Sequence, residues 1–464
     1  MLLRFPFFLS DLFSPLKSSF LKELIPIRGL HLREEDFILS DSQDVEIEQG
    51  VIRKNNAYFC NRCGNEDPSM FASYQCARCE KECTYCRSCI MMGRVNECTS
   101  LVSAPIRAPL KPRPIQLKWD GTLSKGQEKA SNQLVNTLAK NESLLIWAVC
   151  GAGKTEILFH GIEKSLQDGK YVCIATPRSD VVRELAPRLK RVFPDVELTV
   201  LYGGSEDRGK MSPLVIATTH QLLRYKEAFD VMIIDEVDAF PYSVDATLTF
   251  AVQKARKPKS SLIYLTATPS EKMKRKFPSS HIVKIPARYH GYPLPIPTFQ
   301  WCGNWKKAIQ KERLPKVITH WIQHQYENHY QAFLFVPHVS MLKATVPLLS
   351  KKYPNIEGVY AEDPDRKEKV ERFRKGDVRI MVTTTILERG VTIKGANVAI
   401  FGADDPVFTE SALVQIAGRV GRSQERPTGI ITFFHGGKTN AMVDARDHLI
   451  TMNRLAKKEG LLRA

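Results

Sequence analysis

An α/β architecture, with two tandem parallel-sheet domains behind a small cysteine-rich module, is what this 464-residue chain predicts. Three observations carry it. Eight of the eleven cysteines fall between positions 60 and 98, several as pairs two residues apart. From about 120 to 290, short apolar runs alternate with helical patterns, as in a parallel sheet flanked by helices. After a proline-rich break the same alternation returns from 305 to 437.

In chain order, the first fifty residues carry five Lys or Arg against nine Asp or Glu, whereas 51–113 carry ten against five. A boundary near 50 therefore separates an acidic segment, 1–50, from the cysteine-rich module, 51–104. The stretch 1–13 is apolar in patches, but Arg4, Pro6, Ser10 and Asp11 interrupt it and no small-residue cleavage site follows. It reads as neither a signal peptide nor a membrane span, and an interfacial segment or a packed strand fits equally. The cysteines are then expected in a reducing cytosol, where clustering points to metal and not to disulfides. Cys60-x2-Cys63, Cys76-x2-Cys79 and Cys83-x2-Cys86, with Cys89 and Cys98, have the gap that turns two thiolates toward one tetrahedral Zn²⁺. One arrangement joins Cys60 and Cys63 to Cys86 and Cys89, leaving Cys76, Cys79, Cys83 and Cys98 for a second ion. Another closes the first site with Cys76 and Cys79, and a single zinc with spare thiols also satisfies the spacing. A redox relay lacks the thioredoxin-type strand and helix it would need. Of the remaining three, Cys150, Cys173 and Cys302, the residue inside the apolar run 171–175 reads as core.

Pro105, Pro109, Pro112 and Pro114 make 105–119 an extended linker into the first α/β domain, 120–290. There the run 144–147 reads as a buried strand and 156–159 as the opening of a helix. Between them, Ala148-Val149-Cys150-Gly151-Ala152-Gly153-Lys154-Thr155 is a phosphate cradle. Its backbone N–H groups face anionic oxygens, Lys154 reaches the β- and γ-phosphates, and Thr155 offers a hydroxyl to Mg²⁺. Ala148 stands where a first glycine is usual, while Gly151 and Gly153 keep the points of closest approach. Val231-Met232-Ile233-Ile234 then leads into Asp235-Glu236-Val237-Asp238, which puts carboxylates at the end of a parallel strand, where such sheets bind ligands. Asp235 would hold Mg²⁺ through water, and Glu236 would orient and deprotonate the attacking water. Other strands are expected at 171–175, 198–202, 214–218 and 261–265. A hinge at 291–304 leads to the second domain, 305–464, with strands at 331–336, 379–382, 398–401 and 429–434. The net charge of +17 and pI near 9.3 favour a polyanionic partner, nucleic acid first.

An ordered set of motifs spans 120–437. It runs from Gln127 and the phosphate loop through Thr176-Pro177-Arg178, Ala217-Thr218-Thr219-His220-Gln221, Asp235 to Asp238 and Thr266-Ala267-Thr268. It ends with Val382-Thr383-Thr384-Thr385, Glu388-Arg389-Gly390 and Gln415-Ile416-Ala417-Gly418-Arg419-Val420-Gly421-Arg422. The set resembles a superfamily 2 helicase motor with two RecA-like cores. A multi-cysteine module ahead of the motor, with Cys86-Arg87-Ser88-Cys89-Ile90-Met91-Met92-Gly93-Arg94 and Phe240-Pro241-Tyr242 after the acidic motif, is similar to the ComFA family. Those are the late-competence ATPases associated with DNA uptake in naturally transformable Firmicutes, and the resemblance covers nearly the whole chain.

The resemblance implies ATP in the cleft between the cores, with Gln127 at the adenine edge and Gly390 and Gln415 in the nucleotide site. Arg419 and Arg422 would enter from the second core, the latter as the finger on the transferring phosphoryl group. Thr266 and Thr268 would couple the cleft to movement. Thr176, Arg178, Thr218, Thr219, Gln221, Thr384 and Thr385 would touch a nucleic-acid backbone without reading its sequence. Thr392 replaces an acidic residue that contacts ribose in many relatives, which leaves nucleotide selectivity open. The implied activity is ATP-driven translocation on single-stranded DNA during uptake, by a protein peripheral to the inner face of the cytoplasmic membrane. ComEC and ComFC at the DNA channel are the implied protein partners, and a homo-oligomer is compatible. Two other readings stay open. A restart helicase resembling the PriA family would instead place its zinc ribbons inside the motor, behind a large DNA-binding region. An ATP-gated DNA-binding adaptor with little turnover would not need Lys154, Glu236, Arg419 and Arg422 intact.

Overall fold

The computed structural model describes residues 28–36, 45–106, 108–388 and 393–463. Two wholly parallel sheets dominate it. The first has seven strands in the order Leu198–Leu201, Leu214–Thr218, Val172–Thr176, Phe229–Asp235, Arg256–Thr266, Ser143–Ala148, Ile282–Ile285. The second has six, in the order Thr298–Trp301, Ile431–His435, Asn397–Phe401, Ala332–Phe335, Ile380–Thr383, Ile356–Val359. Central strands such as Val172–Thr176 and Asn397–Phe401 are buried at every position, as a parallel sheet covered on both faces requires. The expected fold class of two tandem RecA-like domains behind a cysteine-rich module stands.

Alternation along the strands sends side chains to opposite faces. In the first core Ile174, Ile216 and Ile233 join one buried cluster, which continues through the cleft to Phe333 and Ile400 of the second core. Cys173, Val215 and Met232 point the other way, into a cluster that also holds Leu248, Ala251 and Val252 of the helix Ala246–Ala255. Val51, Leu101, Cys60, Cys63, Cys86 and Cys89 of the cysteine module belong to that same cluster. The module is therefore packed onto the back of the first core and shares its interior.

Part of the acidic amino-terminal segment belongs to this unit as well. His31–Arg33 and Glu46–Gln49 flank Ser100–Ser103 in one antiparallel sheet. A hairpin, Val51–Lys54 with Ala57–Cys60, turns at Asn55 and Asn56, both at positive φ, and Phe71–Gln75, Glu82–Cys86 and Val95–Asn96 form a second small sheet. Lys254, half-buried at the end of its helix, reaches with its ammonium the carbonyls of Arg62 (2.8 Å) and Leu223 (2.9 Å) and lies 2.7 Å from His31 Nδ1. The remainder of 1–50 lies outside the described residues.

The expected hinge at 291–304 needs correcting. Thr298–Trp301 is an edge strand of the second sheet, with Phe299 opposite Phe433. The prolines at 293, 295 and 297 drew the boundary too late, because four partly exposed edge residues carry no alternation that would mark a strand. The edge strands Ile282–Ile285 and Ile356–Val359 were not expected either, and they are equally short.

Candidate functional site: a nucleotide cleft and two thiolate clusters

The strand Ser143–Ala148 ends in the phosphate loop, and Lys154 and Thr155 begin the helix Lys154–Gln167. Gly151 and Gly153 sit at φ +82° and +73°, in the left-handed region that other residues avoid. A Cβ on Gly153 would lie 2.3 Å from Gln127 Nε2. Ala148, Val149 and Ala152 are buried, so the expected first glycine is replaced by a small residue packed in the sheet. The loop is pinned where Val149 N–H donates to Ile285 O (3.1 Å) and Tyr289 N–H to Gly151 O (3.2 Å). Gln127 Nε2 donates to Gly153 O (3.3 Å), while its Oε1 takes the Ser124 N–H (2.8 Å) in a capping box that starts the helix Lys125–Ala139. Its side chain thus braces the phosphate loop at Gly153.

Asp235 closes the central strand and takes the N–H of Glu236 on Oδ1 (2.9 Å). Glu236 stands at φ +57°, a conformation that turns it out of the strand line. Asp238 is the hub of the site. It accepts hydrogen bonds from Thr266 Oγ1 (2.6 Å), Thr268 Oγ1 (2.7 Å) and Ser411 Oγ (2.9 Å), and Thr268 and Ser411 hydroxyls lie 2.7 Å apart. Ser411 belongs to the second core, on the helix Glu410–Ala417. Sequence reading did not single it out, although it precedes Gln415 by one helical turn and so shares its face.

From the same helix Gln415 Oε1 accepts the Cys150 thiol of the phosphate loop (3.1 Å). Gly418 comes so near that a Cβ there would be 2.3 Å from Cys150 Cβ. Arg419 is buried and donates through Nε to Glu388 O (3.0 Å), and Arg422 Nε donates to Gly418 O (3.0 Å). Burial and the neighbouring Arg422 pull the Arg419 pKa well down, while the Glu236 carboxylate acts on it in the opposite sense. Arg288, in the chain crossing between the cores, is 1% exposed and donates to the carbonyls of Val420 (2.6 Å) and Gly421. Burial lowers its pKa to about 10. His290 Nε2 lies 3.1 Å from the same Gly421 carbonyl. Neither residue was expected to matter, since a charge in a linker normally signals solvent. Gly390 and Thr392 lie outside the described residues.

The expected strand contacts divide. Thr176 and Thr219 are wholly enclosed and Thr218 and Gln221 nearly so. Arg178 pairs with Asp180 (3.1 Å) and donates to Ile386 O of the second core (2.8 Å), which makes it a bridge across the cleft. Thr384 and Thr385, partly buried, lead the short turn Thr385–Leu387 on the facing side.

The eight module thiols form two groups, Cys60, Cys63, Cys86 and Cys89, and Cys76, Cys79, Cys83 and Cys98, each with its sulfurs within 4.8 Å of one another. Of the two pairings the spacing allowed, this is the first. Sulfurs sit 3.9 Å apart for Cys60 and Cys89, 3.6 Å for Cys63 and Cys86, and 3.6 Å for Cys76 and Cys98. A tetrahedral ion with metal–sulfur bonds of about 2.3 Å requires edges of about 3.8 Å, whereas a disulfide would bring them to about 2.05 Å. The donor sets fit zinc. Arg62 donates to Cys89 Sγ (3.0 and 3.3 Å) and to the carbonyls of Cys89, Met92 and Gly93, which offsets the charge that four thiolates would bring. The first group is buried, while Cys79 and Cys98 of the second are half-buried.

Comparison with known proteins adds three family matches. A model for the competence protein ComFA N-terminal domain matches residues 19–103, one for the type III restriction enzyme res subunit 120–271, and one for the helicase conserved C-terminal domain 310–424. The competence protein ComFA of Bacillus subtilis (strain 168) is 51% identical over 95% of this chain and 97% of its own length. That of Streptococcus pneumoniae (strain ATCC BAA-255 / R6) is 38% identical over 80% of this chain and 86% of its own. Among solved structures, S. cerevisiae Dbp5 bound to RNA and ADP BeF3 superposes with a TM-score of 0.54 at 14% identity, covering 74% of this chain and 94% of that one, a likeness of fold alone.

Proposed function

The chain belongs to the ComFA family, and from that premise we propose that it is an ATP-driven translocase that draws single-stranded DNA inward across the cytoplasmic membrane during transformation. Its helicase domains imply use of ATP and Mg²⁺. The observation that carries the reading is the Asp238 hub. One carboxylate of the hydrolysis motif holds both threonines of the coupling segment and a hydroxyl of the opposite core, so a change at the phosphates has a direct path to core movement.

In this mechanism the phosphate-loop amides and Lys154 hold the triphosphate, and Glu236 orients the attacking water and takes its proton. Thr155 and Asp235 offer the hard oxygens that suit Mg²⁺, which when bound neutralises phosphate charge. Arg419 and Arg422 face the loop from a turn that Arg288 and His290 hold by its carbonyls, so the guanidinium groups are positioned before charge develops. Tyr289, 47% exposed and tied by its N–H to Gly151, gives the adenine a ring to stack on, beside the edge contact from Gln127. Each turnover shifts the helix Glu410–Ala417 against the first core, and the cores ratchet along one strand. Cys60, Cys63, Cys86 and Cys89, and Cys76, Cys79, Cys83 and Cys98, would hold two zinc ions, which when bound would cross-link a module with few apolar residues of its own.

Among the described residues no helix is long and apolar enough to cross a membrane, and a peripheral place beside ComEC and ComFC fits the family. The test is ATP turnover with single-stranded DNA, duplex DNA, RNA or no polymer, for wild type and Lys154→Ala. Stimulation by single-stranded DNA that the substitution abolishes supports the translocase. Turnover indifferent to polymer sinks it.

A further inference from the structure

A groove of about 710 Å³ runs between the cysteine module and the first core. Arg33, Ser88 and Met91 stand on its module side, and Gly203, Arg208, Gln221 and Arg224 on its core side. We propose that this groove carries single-stranded DNA, so that the cysteine module is one wall of the strand path. The inference rests on the translocase reading and extends it to a surface that the helicase motifs do not include.

Continuity comes first. Gln221 and its neighbour His220, which also lines the groove, follow Thr218 and Thr219 in the turn that the helicase resemblance assigns to strand contact. The groove therefore begins where the motor's own strand contacts are expected to end. Beside them, Gly203 and Gly204 have open space where a Cβ would be, leaving backbone amides that a phosphate can approach closely.

Charge comes next. Arg33 is engaged by Glu35 and Asp36, and the Asp245 carboxylate caps its own helix through the Thr247 N–H (2.8 Å). Arg208 and Arg224 differ from these. Neither has a carboxylate within 4.0 Å among the described residues, and Arg224 is oriented by a hydrogen bond from its Nε to Gln221 Oε1 (3.0 Å). Two guanidinium forks without acidic partners, on one wall of a cleft, match a row of phosphates.

The apolar lining selects the form of nucleic acid. Leu32, Leu223 and Met92 line the groove, and Met91 at its rim is 91% exposed. Splayed bases of a single strand offer flat apolar faces to such a surface, while a duplex keeps them stacked inside. The volume also falls in the roughly 300–1,000 Å³ range of ligand clefts.

The test uses the full chain with Arg208→Glu and Met91→Asp, both at exposed positions, and the melting midpoint as the check on folding. Oligothymidine is titrated against ATP turnover and fluorescence anisotropy. The expected result is a rise of about tenfold in the DNA concentration for half-maximal stimulation, with turnover at saturating DNA retained and a shallower salt dependence of binding. A benzoyl-phenylalanine at position 91 should crosslink to the oligonucleotide. If wild type is stimulated by single-stranded DNA but both variants titrate like it and no crosslink forms, the groove is overturned and the translocase stands. If wild type itself ignores DNA, both fall. Crosslinking of position 91 to a protein in place of the oligonucleotide also overturns the groove.

Discussion

Asp238 shows how much a single carboxylate can decide. It takes three hydroxyl hydrogen bonds, each charge-assisted and so stronger than a neutral one. Of these three, the bond from Ser411 is the one that crosses the cleft, and Ser411→Ala deletes it while leaving Thr266 and Thr268 in place. The expected outcome is a several-fold loss of DNA-stimulated turnover, with unstimulated turnover within about twofold of wild type. Parallel loss of both rates would mean that Ser411 serves hydrolysis itself and not coupling. Arg288 supports a different prediction. Its truncation to Ala leaves the Val420 carbonyl without its side-chain donor in a buried place and the Gly421 carbonyl held by His290 alone, at a cost of about 2 kcal/mol, and loosens the turn that carries Arg419 and Arg422. Urea unfolding should register that destabilisation, and kcat should fall further than the KM for ATP rises. His31 sets the behaviour in acid. Burial and the nearby Lys254 bring its pKa down to about 3 from an ordinary value near 6.5, so the folded protein keeps it neutral. Across that window the unfolded chain binds more protons, and stability falls as pH drops from about 6.5 toward 3. Glu48, 2.7 Å from His31 Nε2, acts in the same direction. Burial would raise its pKa, but His31 and Lys226 outweigh that and bring it to about 2, so its contribution is lost below about 4.5. The expected loss from His31 is roughly 2 kcal/mol between pH 7 and pH 5. Melting midpoints across that range should be flatter for His31→Gln, and identical slopes would rule the histidine out.

At the level of elements, what the sequence made legible depended on length and burial. The strands carrying Ile174, Ile233 and Ile400 are continuous apolar runs in the middle of sheets, and periodicity finds such runs. Thr298–Trp301 escaped because an edge strand of four residues needs little pattern, and Arg288 escaped because burial of a linker charge is decided by a turn more than a hundred residues away. The phosphate loop was readable because glycine at Gly151 and Gly153 answers a local demand for positive φ. The pairing of the thiols was not, since it depends on Glu82–Cys86 folding back beside Phe71–Gln75. That pairing separates the two clusters physically. The first lies inside the shared core with Arg62 against it, and the second is partly open to solvent. A chelator should therefore withdraw metal in two steps, from the Cys76, Cys79, Cys83 and Cys98 group first. Metal analysis should give two zinc ions per chain for wild type and one for Cys79→Ser. Cys60→Ser should lower the melting midpoint of the motor itself. Simultaneous release of both ions would contradict this order.

For the whole molecule, the shared interior bears on how the chain can be divided. A cysteine module hung on a proline-rich linker could be removed without harm, and the composition of 105–119 encourages that picture. The linker is in fact strapped down, with Leu110 N–H on Gly169 O (3.0 Å) and Lys118 N–H on Val192 O (2.9 Å). The module also packs into the cluster made by Met232 and Ile234 of the first sheet with Leu248 and Val252 of the helix Ala246–Ala255. Cutting the chain before residue 105 would expose that cluster as a contiguous apolar patch, which soluble proteins rarely tolerate. It would also strip Lys254 of His31 and of the Arg62 carbonyl, leaving a buried ammonium with one of its three acceptors. A fragment beginning at 105 is accordingly expected to aggregate, or to lose at least 10 °C in melting midpoint relative to the full chain, a shift that follows from the several kcal/mol lost with these contacts. Calorimetry of the full chain should then show the module and the first core unfolding in one transition, ahead of or behind the second core. A fragment that stays soluble with an unchanged midpoint, or a separate module transition in the full chain, would restore the picture of a tethered accessory domain. It would also remove the fixed wall that the DNA groove requires.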